Sequence, residues 1–116
     1  MILLKRIYEK AEKNDGYRIL VDRLWPRGVS RENAKIDLWL KEVAPSDSLR
    51  KWFNHDVDKW SEFKKKYREE LKKNNSFFEE LQAYQKKHKV ITLLYGAKDT
   101  SHNQAIILQE LLEKES

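Results

Sequence analysis

Hydrophobic residues recur along the chain with two different periods, which predict where strands and helices lie. Two runs near the amino terminus, Ile2–Tyr8 and Tyr17–Leu24, are rich in Ile, Leu, Val and Tyr, which favour strands. Asp15-Gly16 supplies a turn just before the second run. A strand–helix–strand crossover needs about a dozen residues or more, so the connection between the runs is too short for one. The two strands therefore either pair antiparallel or are not direct neighbours.

The next part of the chain combines strand-like and helical spacing. Ser30 is positioned to cap a short helix at Arg31–Ala34. Aliphatic residues at alternating positions of Lys35–Val43 predict a half-buried strand. Pro45-Ser46 ends that strand, and a helix is expected to begin at Asp47. Its buried residues are expected to be Leu49, Trp52 and Phe53.

Two longer helices are predicted in the carboxyl-terminal half. Asp56 is the expected N-cap of a helix that ends near Asn74. Its apolar residues recur at spacings of three and four and form one stripe: Val57, Trp60, Phe63, Tyr67 and Leu71. The segment Ser76-Phe77-Phe78-Glu79 fits the Ser-x-x-Glu capping box, which predicts another helix running to about His88.

The end of the chain has the pattern of a strand, a loop and a helix. Val90–Tyr95 is nearly all apolar, as expected of a strand covered on both faces, and Gly96 ends it. Ser101–Gln104 matches a second capping box. The apolar face of the following helix comprises Ala105, Leu108, Leu111 and Leu112. Strands alternating with helices predict an α/β fold, with helices packed around a small, mixed, mainly parallel sheet in a single domain spanning residues 1–116.

The composition excludes several classes of chemistry. The chain has 116 residues, of which 40% are hydrophobic and 37% charged, so a packed core beneath a highly charged surface is expected. It has no Cys, which excludes disulfides, thiolate nucleophiles and Cys-ligated metals and fits the cytosol. Charges at Lys5 and Arg6 come too early for a signal peptide, and no apolar run approaches the ~18 residues of a membrane span. A cytoplasmic protein without a membrane partner is therefore predicted.

The net charge of +5 raises the hypothesis of nucleic-acid binding. Much of the excess lies in Lys64–Lys66, Lys72, Lys73 and Lys86–Lys89. Glutamates are interleaved with these lysines, as on a solvated helix surface with i,i+4 pairs, and no arginine–aromatic binding motif accompanies them. A solvated face is the favoured interpretation, and a nucleic-acid partner stays as the alternative.

Two polar clusters follow predicted strands, and ligands of α/β sheets collect at the carboxyl ends of strands. The first cluster comprises Asp22, Arg23, Trp25 and Arg27. The second comprises Tyr95, Lys98, Asp99, Ser101, His102 and Asn103. If the two strands run parallel and adjacent, the clusters face each other and form the two halves of one site.

The chemistry of the two clusters suits an anionic small molecule. The start of the last helix carries partial positive charge, Lys98 adds a point charge, and Arg23 or Arg27 offers a planar fork for phosphate or carboxylate. The remaining predicted ligand-binding residues are Tyr95, Asn103 and Ser101. Neither GxGxxG nor GxxxxGK[ST] is present, so no nucleotide-binding motif supports the site.

Whether the protein is an enzyme is left open by these residues. His102 is the best acid–base candidate, because the dipole of a helix start favours a neutral imidazole, and Asp22 is the second. The alternatives are structural: Asp22 pairs with an arginine or satisfies turn amides, Ser101 acts as a cap, and the whole is a structural or interaction module without chemistry. The three histidines fit no metal-binding signature, so no metal and no cofactor are predicted.

Four segments together resemble the YeaO-like family, domain of unknown function 488. They are "VDRLWPRGVS", "DLWLKEVAPS", "LRKWFNHD" and "LLYGAKDTSHNQAIIL", in this order and spacing. The resemblance covers roughly residues 5–112. It implies a small, bacterial, cytosolic α/β domain with no assigned biochemical function.

The resemblance also implies a difference from longer proteins of the wider grouping, which carry cysteines, a His and an Arg around the loop corresponding to Tyr95–Ala105. This chain matches them at Lys98, Asp99 and His102. Asn103-Gln104-Ala105 stands where the cysteine–histidine–arginine run would fall. Thiol or phosphatase-like chemistry is therefore not implied for this chain, whereas anion binding at the helix start is compatible with it.

Overall fold

In the computed structural model, which describes residues 1–115, the chain forms one four-stranded parallel sheet. The strands are β1 (Ile2–Arg6), β2 (Tyr17–Leu20), β3 (Leu38–Trp39) and β4 (Ile91–Tyr95). Their order is β1-β4-β2-β3, so the last strand lies between the first two. Of the two alternatives for β1 and β2, the structure shows the second, because they are not direct neighbours, and the α/β fold class is confirmed. The sheet is parallel throughout rather than mixed.

Five helices and three short 3-10 turns accompany the sheet in the described residues. The helices are α1 (Arg31–Ala34), α2 (Asp47–Phe53), α3 (Trp60–Lys73), α4 (Asn75–Lys87) and α5 (Gln104–Glu115). The 3-10 turns lie at Lys13–Asp15, Lys41–Val43 and Val57–Lys59. No helix among the described residues is long and apolar enough to cross a membrane.

Strand β4 is buried along its whole length, as its apolar run predicts. It pairs with β1 on one side and with β2 on the other, and all five of its residues are buried. Ile91, Leu93 and Tyr95 contribute to the main core, whereas Leu94 belongs to a smaller core cluster. A strand with neighbours on both sides and cores on both faces needs apolar residues at successive positions.

The main core lies between the sheet and helices α2 to α5. The predicted stripe of α3 is confirmed at Phe63, Tyr67 and Leu71, which are buried. Val57 is 51% exposed, so its assignment to the stripe is wrong. The reason is that Val57 lies in the 3-10 turn before α3, where the spacing of the α-helix does not apply; Asp56 caps this turn and not the long helix.

The opposite face of the sheet carries a smaller core and a buried charge network. Leu20 and Leu94 pack there against the half-buried Trp25 and Trp39. The two indole rings meet edge to face, with centroids 5.4 Å apart. Both tryptophans therefore have packing roles.

The charge network covers the other half of this face. Asp15 and Arg18 are buried, with the Arg18 Nη1 to Asp15 Oδ2 distance at 2.5 Å, and Lys5 Nζ lies 3.2 Å from Asp15 Oδ1. Burial would raise the pKa of Asp15, but hydrogen bonds from the Glu12 amide, Lys5 and Arg18 outweigh burial and lower it. Thr92 Oγ1 donates to the Asp15 carbonyl at 2.6 Å. The ionised Asp15 thus links β1, β2 and β4.

The prediction of a strand at Lys35–Val43 is mostly wrong. Only Leu38–Trp39 is a strand, and Lys41–Val43 is a 3-10 turn. Leu40 and Val43 are both buried although they are three residues apart. That spacing matches the three residues per turn of a 3-10 helix, so the turn buries residues that alternation assigned to a strand.

The capping box predicted at Ser76 is also wrong. Helix α4 begins at Asn75, one residue before Ser76, and its N-cap Asn74 makes no side-chain capping bond. Glu79 instead accepts a hydrogen bond from Asn75 Nδ2 at 2.6 Å. Only Asn74 separates α3 from α4, so the end of the preceding helix sets where α4 begins.

Candidate functional site

The carboxyl ends of β2 and β4 border a cavity of about 530 Å³. Because the two strands are parallel neighbours, the two polar clusters meet at this edge of the sheet. The predicted site residues that line the cavity are Asp22, Arg23, Arg27, His102 and Asn103. Tyr95, Lys98 and Ser101 are not among the lining residues.

Asp22 joins three parts of the chain through its carboxylate. Oδ2 accepts a hydrogen bond from the Gly96 amide at 2.9 Å, and Oδ1 accepts one from Gln104 Nε2 at 2.6 Å. Burial raises the pKa of Asp22 to about 6, although both hydrogen bonds act to lower it. Its partners are thus an amide and Gln104, and it forms no ion pair with Arg23 or Arg27.

Gly96 allows the close approach that the Asp22 bond requires. A Cβ atom at this position would lie 2.9 Å from Asp22 Oδ2 and 3.5 Å from the Pro26 side chain. A larger residue would therefore have to push the carboxylate or the loop away. The sequence pattern indicates Gly96 only as the end of a strand and misses this second role.

Arg23 uses most of its guanidinium to hold the backbone before α2. Nε donates to the Pro45 carbonyl and Nη2 to the Ala44 carbonyl, each at 2.9 Å. Nη1 makes no hydrogen bond to any described residue. Arg23 therefore shapes the cavity wall and has one amino group left for a ligand.

Arg27 differs from Arg23, because its side chain is exposed and has no hydrogen bond or ion pair to the described residues. Its backbone is held instead: the Arg27 carbonyl accepts a hydrogen bond from the Tyr8 hydroxyl at 2.8 Å. The Arg6 guanidinium lies over the Tyr8 ring, 4.7 Å from its centroid, and donates to the Gly96 and Ala97 carbonyls. These contacts hold the loop in place, whereas the Arg27 guanidinium itself has no bonding partner among the described residues.

Helix α2 and the residues directly after it add basic side chains that the sequence patterns do not indicate. Arg50, Lys51 and His55 line the cavity. Arg50 has a single acidic neighbour, Asp47, at 3.4 Å, and both side chains are well exposed, so the pair is weak. The "LRKWFNHD" segment contains all three residues, but only the packing of α2 beside the strand ends brings them to the cavity.

His55 reaches the cavity through an unusual backbone conformation. Asn54 and His55 have φ values of +44° and +58°, both in the left-handed region that residues other than glycine rarely adopt. Asn54 ends α2 in this conformation, and its amide donates to the Arg50 carbonyl. The left-handed pair turns the chain sharply at the cavity edge.

His102 lies two residues before the first residue of α5 and not in its first turn. The Asp99 carboxylate orients it instead: Oδ2 lies 2.9 Å from His102 Nδ1, and Oδ1 accepts from the His102 amide at 3.1 Å. The hydrogen bond from the Ser101 amide, foremost, and those from His102 hold the pKa of Asp99 below its usual value. An imidazole that is held through Nδ1 leaves its Nε2 atom to exchange a proton with a ligand.

The remaining predicted residues have structural roles or lie outside the cavity. Asn103 is the cap of α5, with its Oδ1 accepting from the Ile106 amide at 3.2 Å, so the capping box predicted at Ser101 is wrong. Ser101 is exposed and donates its amide to Asp99 at 2.8 Å. Tyr95 is buried, which raises the pKa of its hydroxyl. Lys98 is exposed and is not the partner of Asp99.

Among the residues whose side chains the structure describes, no three His, Asp or Glu come together in an arrangement that could hold a metal ion. Across the same residues, Asp22 is the single acidic residue that lines the cavity, beside Arg23, Arg27, Arg50 and Lys51. The cavity is therefore electropositive, with two histidines at its wall. Such a wall attracts anions.

Comparison with known proteins assigns the chain to a family. A family model described as the inactive DUF488-N3 subclade matches residues 1–116. The chain belongs to this family. Uncharacterized protein YeaO of Escherichia coli (strain K12) is 44% identical over 111 residues, which are 96% of this chain and 96% of that protein. The resemblance to the YeaO-like family is confirmed.

Relatives of lower identity come from mycobacteria. Uncharacterized protein Rv3073c of Mycobacterium tuberculosis (strain ATCC 25618 / H37Rv) and uncharacterized protein Mb3100c of Mycobacterium bovis are each 33% identical over 111 residues. The aligned part covers 96% of this chain and 92% of each of those proteins. No solved structure matches the chain.

Proposed function

We propose that this protein binds an anionic small molecule in the strand-end cavity without transforming it. The observation that carries the proposal is the charge of the cavity wall. Arg23, Arg27, Arg50 and Lys51 line it, against the single carboxylate of Asp22. A concave wall with one sign of charge concentrates counter-ions of the opposite sign, and arginine matches phosphate and carboxylate groups with two parallel hydrogen bonds.

Binding without turnover fits the groups that surround the cavity. Both carboxylate oxygens of Asp22 already accept hydrogen bonds from the protein, which suits a positioning role better than proton transfer. His102 has the geometry of a base, but no Ser, Thr or Cys among the described residues lines the cavity to act as its nucleophile. The description of the family model as an inactive subclade also supports binding without turnover.

Arg27 and Arg50 are the residues expected to contact the anion most directly. Both side chains are exposed and have little else to bind, whereas Arg23 is engaged with two carbonyls. The competing view, a module in which Arg27 only locks its turn, gains no support from an Arg27 side chain without partners. A cytoplasmic location is part of the proposal, since a chain without cysteine makes no use of an oxidising compartment.

The proposal is tested by calorimetric titration with a panel of phosphate monoesters and carboxylates, each beside its uncharged analogue. We expect Arg27→Ala to weaken binding of an anion by about 1.5–3 kcal/mol, the range for a hydrogen bond to a charged group. Unfolding stability should change by less than about 0.5 kcal/mol, because the side chain is exposed and unpaired. Lys87→Ala is the matched control, since it removes one exposed positive charge from α4, which does not line the cavity.

The proposal is wrong if no anion of the panel binds, or if Arg27→Ala and Lys87→Ala weaken binding equally. The second outcome would mean that general charge, and not the cavity, attracts the anion. Nucleic-acid binding has less support, because cations of α3 are paired with acids: Lys64 and Arg68 lie 3.3 and 3.1 Å from Glu110 Oε2.

A further inference from the structure

We infer that the anion bound in the cavity is an organic one, whose charged group is attached to an apolar, flat body such as an aromatic ring. This inference rests on the proposed function and narrows its ligand class. It excludes inorganic phosphate or sulfate as the main occupant. It is carried by the apolar residues that share the cavity with the cations.

Aromatic side chains form part of the cavity wall. Phe53 and Phe63 both line it, with their ring centroids 4.2 Å apart and the planes inclined by 20°. Ala44 and Pro45, whose carbonyls Arg23 holds, add further apolar surface. All four residues are buried, so they back the wall, and the apolar area that a ligand can remove from water lies on the more exposed side chains around them.

The mouth of the cavity exposes two apolar side chains. Leu24 is 58% exposed and Tyr8 is 46% exposed, and both line the cavity. Across the described residues four large hydrophobic side chains are exposed, the other two being Met1 and Val57. Single exposed apolar residues are ordinary, but two beside one cationic cavity form a local apolar surface that a ligand can cover.

Charge and apolar surface come from the same elements, so they lie side by side. The loop after β2 supplies Arg27 and Leu24, three residues apart. Helix α2 supplies Arg50 and Phe53, also three residues apart and therefore on one face of the helix. The loop thus offers Arg27 for an anion and the exposed Leu24 for an apolar body, and α2 adds Arg50 beside the buried Phe53, which backs the wall.

The size of the cavity supports an organic occupant. Its volume of about 530 Å³ lies within the range of about 300–1,000 Å³ that is usual for sites of organic ligands. An inorganic phosphate would contact the cations and leave the exposed side chains of Leu24 and Tyr8 in water. Affinity and specificity in such sites come from apolar walls with a few placed polar groups.

The inference is tested by titrating the protein with methyl phosphate, phenyl phosphate and benzyl alcohol at constant ionic strength and pH 8, where both esters are dianions. The two esters carry the same charged group and differ in the body. We expect phenyl phosphate to bind at least about tenfold more tightly than methyl phosphate, because the ring buries apolar area. Benzyl alcohol, which has the ring without the anion, should bind more weakly than phenyl phosphate.

Two exposed positions make a matched pair of variants. Leu24→Ser should weaken the binding of phenyl phosphate about threefold or more and leave the binding of methyl phosphate unchanged, since it removes apolar area only. Val57→Ser alters a side chain of similar exposure that does not line the cavity, so it should change neither affinity. Arg27→Ala should weaken both esters.

The outcomes separate this inference from the proposed function. Equal affinity for the two esters would contradict the inference that the ligand has an apolar body, and so would an equal loss of affinity for both esters in Leu24→Ser. Either result leaves the proposal of anion binding intact. Binding of neither ester overturns both. Binding of benzyl alcohol as tight as that of phenyl phosphate overturns anion binding and leaves only an apolar site.

Discussion

The Asp22 carboxylate shows how one residue sets the shape of the cavity. Its oxygens accept hydrogen bonds from Gly96 and Gln104, and its backbone carbonyl accepts one from Trp39 Nε1 at 2.7 Å. The end of β2 is thereby tied to the loop after β4, to the start of α5 and to β3. Burial acts against this arrangement when Asp22 is charged, which is why its pKa is raised.

This pKa predicts how stability depends on pH. The folded protein binds the Asp22 proton up to a pH of about 6, whereas the unfolded chain releases it near 3.8. The free energy of unfolding should therefore fall as the pH rises from 3.8 to about 6, by at most about 3 kcal/mol from this residue, and be unaffected by it above that range. Urea unfolding of the wild type and of Asp22→Asn between pH 3.5 and 7.5 measures the difference.

Asp22→Asn keeps an acceptor for the Gly96 amide but cannot ionise, so its stability should lack this fall with pH. Other acids contribute in the opposite sense, because Asp15 has a lowered pKa and its contribution is lost as the pH falls. These contributions are the same in the wild type and in Asp22→Asn, so they cancel when the two proteins are compared. Parallel pH profiles for the two proteins would contradict the raised pKa of Asp22.

At the scale of elements, the start of α5 depends on a capping group that the sequence pattern misplaced. Ser101 and Asn103 both carry a side-chain oxygen shortly before α5, and the capping-box pattern selects Ser101. In the structure Asn103 caps the helix and also donates from Nδ2 to the Asp99 carbonyl at 3.0 Å. Asn103 thus holds both the helix start and the turn that carries His102.

Replacement of the two residues distinguishes their roles. Asn103→Ala should lower the free energy of unfolding by about 1–2 kcal/mol, because it removes the side-chain oxygen that caps the Ile106 amide and the hydrogen bond to the Asp99 carbonyl. Ser101→Ala should cost less than about 0.5 kcal/mol, since the Ser101 side chain is exposed and only its amide is used. Denaturant unfolding measures both, and a larger cost for Ser101→Ala would contradict the assignment of the cap.

At the scale of the whole molecule, the topology makes the end of the chain central to the fold. β4 lies between β1 and β2, so the sheet is complete only when residues far apart in sequence have met. β3, in contrast, is two residues long, half-buried and paired on one side only. Stability is therefore expected to vary across the sheet.

Hydrogen exchange in the native state should reveal this difference. Backbone amides of Ile91–Tyr95 should exchange only through global unfolding, with the same free energy that denaturant unfolding gives. The Asp37 and Leu40 amides, which donate to β2 beside the short edge strand, should exchange through local opening at lower free energy. Measurement at increasing denaturant concentration separates the two, and equal protection of the edge and the centre would contradict the prediction.

The amino-acid sequence by itself determined the parts of the structure that depend on local periodicity. The stripe of α3, the buried run of β4 and the α/β class follow from which positions are apolar, because side chains repeat every two residues in strands and every 3.6 in helices. The two polar clusters followed from the same reasoning, since they come directly after strands.

Only the tertiary structure decided which of these parts meet. Asp22 and Gly96 are 74 residues apart in sequence, and Asp22 and Gln104 are 82 apart, so no local pattern contains their bonds. The cations of α2 reach the cavity because the helix packs beside strand ends that it does not follow in sequence. Periodicity states which face of an element is buried, but the partner of that face is set by packing and by hydrogen bonds between distant segments.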